Sequence, residues 1–300
     1  MSEIDRRKSL ELGALFAMTA PLMPGATAHA ADMSLVNFND PDEAFKAKIK
    51  TLGSIADEEA FRLSTGHIYG YVPDHPPFSM FNIENYSVSR WKRLKNGNYQ
   101  FTLWEIGVHT DRDTGQPLKT YKNPITEEEV DVIPYATGPI EATVTPEGIL
   151  IPGAERTVRP EALLPRIFDD HVWYPFESLV TLPNPLSVEE WPKASAGELF
   201  SWHTIVVFAA KLDDIANAET TWAPALTTYS EFLTWQPWLH MGQTPGGMMT
   251  RGYGKKFGPE EKIPMNIRKK IEASVPEIFD RDNWTERRNE FTDYLDHYKT

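Results

Sequence analysis

Residues 78–109 read FSMFNIENYSVSRWKRLKNGNYQFTLWEIGVH, and they give the clearest indication of the fold class. Two runs rich in aromatic and β-branched residues, 78–91 and 99–109, lie on either side of the dipeptide Asn96-Gly97. Asn-Gly between such runs is the strongest short-range hairpin signal, because both residues tolerate the positive φ of a tight hairpin turn. The stretch therefore predicts two antiparallel strands.

The same pattern of short aromatic runs separated by Pro, Gly, Asn and Asp continues beyond this stretch to about residue 257. Four more strands are predicted, at 172–181, 199–210, 222–235 and 248–253. Helical patterns occur only at the ends of the chain, at 40–53, 266–274 and 284–298. Strands without intervening helices favour a mainly β fold: one antiparallel, barrel-like (calycin-like) sheet with N- and C-terminal helices.

Alternation sorts the side chains of two predicted strands into faces. Both faces of each strand are mostly apolar, which a sheet with one wet face would not show. We therefore expect a closed or strongly curled sheet, with one face lining a lumen and the other lying under the terminal helices. A few polar side chains are then placed among apolar neighbours: Glu105, His109 and His203.

Composition excludes several classes of function. The chain has a net charge of −13, which argues against nucleic acids and anionic membrane surfaces because both require clustered positive charge. It has no cysteine, so disulfides, iron–sulfur clusters, thiolate zinc sites and cysteine nucleophiles are excluded.

The first 30 residues have the features of an export signal. Arg6-Arg7-Lys8 precedes a short apolar run, and Ala28-His29-Ala30 offers the small-x-small pattern of a cleavage site. The twin arginines resemble a twin-arginine (Tat) signal; the alternative is an amphipathic helix that stays attached. The sequence thus predicts a signal peptide at 1–30 and a periplasmic or secreted domain at 31–300. That domain carries a helical extension at 260–300 and has no membrane-inserted segment.

Catalytic signatures for phosphate loops, dinucleotides, serine nucleophiles and H-E-x-x-H zinc sites are absent, so no cofactor or metal is expected. His109 and Asp111 have a spacing that a metal site could use, but Asp111 to Gly115 is better explained as a turn. An interior Glu paired with an interior His would supply acid/base chemistry near neutral pH. We therefore take Glu105, His109 and His203 as candidate catalytic residues that converge on one pocket; the alternative makes them unrelated structural residues.

The least ordinary segment is 235–247, in which two tryptophans surround a proline and methionines follow. It is explained equally well as a pocket wall and as a plug at one end of a barrel. The candidate ligand-binding residues are Trp104, Trp202, Trp235, Trp238, His240, Met241 and Arg251.

Two motifs carry a resemblance to a known family: Trp104-Glu105-Ile106-Gly107-Val108, and Trp238-x-x-Met241-Gly242-x-x-x-Gly246. Together with Gly66, Asn123-Pro124 and their neighbours, they resemble the domain-of-unknown-function family DUF1838 over about residues 40–257. The resemblance implies that the chain belongs to this family, and members of the family commonly carry an export signal. It supplies no catalytic residue.

Three classes of function follow from these observations. The first is an enzyme, namely a cofactor-free acid/base lyase, isomerase or hydrolase, acting on a small apolar or aromatic molecule. The second is a non-catalytic binding protein for such a ligand, and the third is a structural or interaction module. Interior polar groups among aromatics favour the first two. A homodimer is compatible with all three.

Overall fold

The structure, a computed structural model, describes residues 35–151, 164–258 and 263–298. The strands it describes are β1 (Glu59–Tyr71), β2 (Phe78–Arg93), β3 (Tyr99–Thr110), β4 (Thr120–Lys122), β5 (Glu129–Asp131), β6 (Tyr135–Val144), β7 (Ile149–Leu150), β8 (Arg166–Phe168), β9 (His171–Pro183), β10 (Leu199–Lys211), β11 (Ala225–Leu233) and β12 (Gly247–Phe257). The helices are α1 (Pro41–Leu52), α2 (Leu212–Ala216), α3 (Met265–Ser274) and α4 (Glu290–Tyr298), with 3₁₀ turns at Pro237–Leu239 and Pro276–Phe279.

The predicted hairpin forms part of the large sheet, beside its central strands. β2 and β3 pair antiparallel from Asn82 opposite Thr110 to Arg93 opposite Tyr99. Gly97 adopts a positive φ of 88° in the connecting turn, as expected for the glycine of an Asn-Gly hairpin turn. The hairpin prediction is confirmed.

Ten strands form one antiparallel sheet in the order β7-β6-β3-β2-β1-β12-β11-β10-β9-β8, and β4 pairs with β5 separately. The first and last long strands meet in its middle, from Phe61 opposite Phe257 to Tyr71 opposite Gly247. The sheet is curled into a half-barrel with short helices at both ends, so the mainly β, barrel-like prediction is confirmed. None of the helices in the described ranges is both long and apolar enough to cross a membrane.

The curl is visible in one contact across the sheet. Tyr135 on β6 and Trp202 on β10 lie six strands apart, roughly 29 Å if the sheet were flat. Their rings are 6.1 Å apart, centroid to centroid. The face that carries these two rings, together with Glu105, is therefore the concave face; the face that carries Trp104 is the outer face.

The short strands β4, β5, β7 and β8 were not predicted, and neither were two of the long strands, β1 and β6. Each of these two contains residues that are depleted from strands, such as Gly66 in β1 and Gly138-Pro139 in β6. In β1 the glycine has a packing reason, because a Cβ at Gly66 would lie 2.5 Å from the Tyr229 hydroxyl. Tertiary packing thus overrides the local signal.

The last helix begins later than the predicted 284–298. Its start at Glu290 follows Asn289, whose side-chain oxygen accepts hydrogen bonds from the backbone N–H groups of Phe291 and Thr292 at 2.9 and 3.0 Å. This is the geometry of a helix N-cap, so Asn289 fixes the start of α4.

Helix α1 closes one end of the half-barrel. Its Ile49 is fully buried in an apolar cluster with Trp91, Tyr99 and Val144. The buried Lys256 donates hydrogen bonds to the carbonyls of Lys50 and Gly53, at 2.7 and 2.8 Å. Because these carbonyls belong to the last turn and C-cap of α1, the lysine holds the helix in place.

A second apolar cluster closes the other end. It joins Trp238 and Leu239 of the first 3₁₀ turn to Phe81, Met248 and Tyr294. A third cluster, which contains Trp104, Ile106 and Ile271, packs α3 onto the outer face of β2 and β3. The concave face is therefore apolar at both ends, and the polar side chains are found between them.

Candidate functional site

A cavity of about 40 Å³ lies on the concave face between the two apolar ends. This volume exceeds the roughly 10–15 Å³ that a single water needs. Strands from across the sheet contribute to its lining, which mixes carboxylates, tyrosine and aromatic or aliphatic side chains. The lining residues are Ile68, Ile83, Asn85, Glu105, His109, Tyr135, Phe200, Trp202, Glu231, Leu233, Gln236, Met248, Thr250 and Glu290.

Glu231 is the most perturbed carboxyl group in this cavity. It lies on β11 with Thr204 and Thr250 as its cross-strand neighbours. Burial, with a smaller contribution from the nearby Glu105 charge, raises its pKa to about 7. The Trp202 indole N–H beside it, the Arg62 charge and the Thr204 hydroxyl, 3.4 Å from its Oε1, act in the opposite direction. Glu231 retains some accessible surface, so solvent still reaches this deep position.

Glu105 is paired, unlike Glu231. Its Oε1 accepts a hydrogen bond from Arg62 Nη2 at 2.8 Å, and both side chains are mostly buried. An arginine at this distance stabilises the ionised carboxylate. One carboxylate of the cavity lining is thus held in an ion pair, and a second carboxyl group of the lining, Glu231, can exist in either protonation state near neutral pH.

Tyrosine hydroxyls and a third carboxyl group complete the polar layer. Burial, together with the charges of Glu105, Glu290 and Glu231, holds the pKa of Tyr135 well above its usual value. Burial likewise raises the pKa of Tyr229 and that of Glu290. Both tyrosines therefore stay protonated and can donate a hydrogen bond.

Several buried polar atoms on this face have no hydrogen-bond partner among the described residues. Among them are Asn85 Oδ1, His109 Nδ1 and Thr227 Oγ1. The first two belong to the cavity lining. Because buried polar atoms nearly always find a partner, these atoms indicate that water or a bound molecule completes their hydrogen bonds.

The structure brings together two of the three predicted catalytic residues. Glu105 and His109 both line the cavity, as their shared face on β3 requires. The expected convergence of His203 with them was wrong. His203 follows Trp202, and alternation on β10 turns Trp202 into the cavity and His203 to the outer face, opposite Phe232.

His109 is too buried to act as a base at neutral pH. Its ring contacts Phe81 and Trp238 at centroid distances of 5.0 and 5.3 Å. Burial among these rings lowers its pKa to about 4, so the imidazole is neutral. A neutral ring can still donate or accept a hydrogen bond toward the cavity.

Of the predicted ligand-binding residues, Trp202 alone is in the cavity lining. Trp235, Trp238 and Met241 belong to the apolar cluster behind it. Trp238 donates its indole N–H to Gln236 Oε1 at 2.7 Å, and Gln236 does line the cavity. Segment 235–247 therefore acts chiefly as the plug of the half-barrel, the second of the two interpretations of its sequence.

The remaining three predicted residues point elsewhere, which corrects that part of the prediction. Trp104 and Arg251 lie on the outer face, because each is one residue away from a residue that faces the cavity. His240 is half-buried outside the cavity, where its Nε2 is 3.3 Å from the Tyr294 hydroxyl.

The Asp111 segment is a turn, as expected. Asp111 Oδ1 accepts hydrogen bonds from the backbone N–H groups of Asp113 and Thr114 and from the Thr114 hydroxyl. Its carboxylate is therefore occupied in capping this turn. No group of three or more His, Cys, Asp or Glu side chains in the described part of the chain is arranged to hold a metal ion.

Sequence reasoning missed the residues with the clearest chemistry, which are Glu231, Tyr135 and Arg62. A signal for Glu231 was present, because it is a lone carboxylate between Tyr229 and Phe232 in a predicted strand. No local sequence pattern indicated Tyr135 or Arg62 as site residues, because β6 was not predicted and β1 contains several other polar residues.

Comparison with known proteins agrees with the resemblance found in the sequence. No curated protein matches the chain. The model of a family described as "Protein of unknown function (DUF1838)" matches residues 57–299, which includes every strand described above and every helix except α1. Since this match covers far more than half of the 300 residues, the chain belongs to the DUF1838 family.

Proposed function

We propose that this protein binds a small molecule in the concave cavity and catalyses a proton transfer on it, with Glu231 as the group that takes and returns the proton. One observation carries the proposal: a deeply placed carboxyl group lies beside a second, arginine-paired carboxylate in a polar cavity between two apolar ends. Buried carboxyl groups kept near neutral pKa are a recurring feature of acid/base sites.

The lining favours a neutral ligand with one polar end. Among the described lining residues three are glutamates and none is Lys or Arg, although Arg62 contacts one of the three from outside the lining; this excess of carboxyl groups disfavours an anion. The aromatic rings of Phe200 and Trp202 offer a flat apolar surface on the other side. A compound with a carbonyl or hydroxyl group joined to an apolar part matches the polarity of this lining. The cavity must widen from its 40 Å³ to admit an aromatic part, because a benzene-sized ligand occupies a cavity of about 150 Å³.

The proposed chemistry balances without a cofactor. Ionised Glu231 removes a proton from the carbon next to a carbonyl group; the electron pair of the broken C–H bond forms a C=C bond, and the π pair of the carbonyl group moves onto its oxygen. Tyr135 donates a hydrogen bond to that oxygen as it becomes negative. If the substrate has a β,γ double bond, protonated Glu231 returns the proton to the γ carbon as the carbonyl group re-forms, which gives an isomerisation. If the β carbon carries a leaving group, its bond breaks as the carbonyl group re-forms and Glu231 protonates the departing group, which gives an elimination.

The second candidate, a binding protein without catalysis, is supported by the unpartnered atoms of Asn85 and His109. Such atoms serve recognition and require no titrating group. The two candidates differ in whether the charge of Glu231 changes during the cycle.

Screening neutral aryl and alkyl carbonyl compounds by ligand-observed NMR tests both candidates. We expect Glu231→Gln to retain binding within a few-fold but to lose turnover by about 10²–10⁴-fold, the usual contribution of a general base. The wild-type rate should rise with pH around 7, where Glu231 ionises. Binding without turnover in the wild type would select the binding protein. If no compound binds to the wild type or to Trp202→Ala, the cavity is not a ligand site.

We also propose export, with cleavage after Ala30. The signal falls outside the described residues and rests on Arg6-Arg7 and Ala28-His29-Ala30 alone. Protein purified from its native host should have the intact mass of a chain that begins at Ala31, and Arg6-Arg7→Lys-Lys should reduce its export. A mass that still includes Ser2 would refute cleavage.

A further inference from the structure

The outer face of β10, β11 and β12 exposes large apolar side chains. The apolar cluster beneath α3 is built on strands on the other side of β1. The exposed side chains are Ile205, Leu226, Phe232 and Tyr253, with exposed fractions of 39–63%. A large exposed apolar surface of this kind often marks an interaction site.

Two opposite charges flank this surface in the same cross-strand row. Glu177 lies opposite Ile205, Ile205 opposite Ser230, and Ser230 opposite Arg251. The row therefore runs across β9, β10, β11 and β12, and its two ends are about 14 Å apart at the usual strand spacing. Both side chains are exposed, and neither forms a salt bridge with any described residue.

We propose that this outer face binds a second copy of the chain, face to face, about a twofold axis that runs parallel to the strands between β10 and β11. Such an axis maps β9 onto the partner's β12 and β10 onto the partner's β11. Each Glu177 then meets Arg251 of the partner subunit, and each Ile205 meets Ser230 of the partner subunit. In the next row His203 meets Phe232 of the partner subunit, which gives the outward-facing histidine an apolar contact.

The symmetry follows from the charge pattern. A twofold interface uses the same patch twice, so its charges must be complementary to themselves about the axis. Glu177 and Arg251 lie at equal strand distances on the two sides of the β10–β11 boundary and satisfy this condition. Stacked sheets also pack with nearly aligned strands, which this axis produces.

The area of the face sets the expected affinity. Four strands are about 19 Å wide, and the nine residues of β11 extend about 30 Å, which gives at most roughly 600 Å² per copy because the outer face of the curled sheet is convex. That value is at the lower end of stable interfaces, which bury about 1,200–2,000 Å² in total. We therefore expect a dissociation constant in the micromolar range and a concentration-dependent dimer.

Sedimentation velocity of the full chain and of two charge reversals tests the proposal. Wild type should dimerise, whereas Glu177→Arg and Arg251→Glu should each raise the dissociation constant at least about tenfold, because like charges then face each other twice. Mixing the two variants should restore the dimer, since every facing pair is again of opposite sign. Glu141→Arg, an exposed residue of β6, is the matched control and should leave dimerisation unchanged.

Circular dichroism of each variant checks that the fold is retained. A wild type that stays monomeric up to several hundred micromolar overturns the proposal. So does a dimer that neither reversal weakens, or a mixture of the two folded variants that remains monomeric. None of these outcomes bears on the cavity, so the proposed function is tested separately.

Discussion

Trp238→Ala should destabilise the fold by about 3–5 kcal/mol, the usual cost of truncating a large buried aromatic side chain. Trp238 is only 2% exposed and contacts the rings of Phe81 and His109 at 5.5 and 5.3 Å. Its removal leaves a void at the end of the half-barrel and frees Gln236, whose side-chain oxygen accepts the indole N–H. The loss is measured as a shift of the urea unfolding midpoint at constant slope.

Phe168→Ala is the matched control. This side chain is 64% exposed, so its truncation should change the free energy of unfolding by no more than about 0.5 kcal/mol. The variant at 238 has a second readout, because water that enters the void should raise the pKa of His109 from about 4 toward its ordinary value. A loss below about 1 kcal/mol with no change in the His109 titration would contradict the assigned packing.

Glu231→Gln should stabilise the protein at pH 8 by about 1–3 kcal/mol and leave its stability unchanged at pH 4. The folded pKa of about 7 lies above the ordinary value of 4.5. Between these values the folded state holds a proton that the unfolded state has released, so wild-type stability falls as the pH rises through this window. Glutamine keeps the shape and hydrogen bonding of the protonated acid without this cost. Thermal unfolding across pH 4–8 measures the difference.

Glu141→Gln is the control for this titration, because Glu141 is exposed on β6 and its replacement should give nearly parallel stability curves. If Glu231→Gln and wild type differ by the same amount at pH 4 and at pH 8, the carboxyl group does not titrate in this window. The proposed proton transfer would then lose its central residue. A gain in stability on removal of a catalytic charge is the expected trade-off at an active site.

The long strands and terminal helices were predictable because their signals are local. The Asn96-Gly97 turn, the acidic first turn of α1 and the aromatic runs each depend on residues a few positions apart. β1 and β6 were missed for the complementary reason. Their glycines and Pro139 argue against strands locally, and only cross-strand packing such as that of Tyr229 against Gly66 favours them.

Which side chains share a face within each strand could be predicted from the sequence, because alternation is a property of the backbone of that strand. It separated Glu105 from Trp104 and Trp202 from His203 correctly. The tertiary structure was needed to show that Glu105 and Trp202 lie on the concave face of the sheet. Which face is concave depends on the register between strands and on the direction in which the sheet curls. The same long-range closure brought Tyr135 and Glu231 into one cavity from strands that are five positions apart in the sheet. No local pattern encodes that proximity, so the candidate site became visible only in the folded chain.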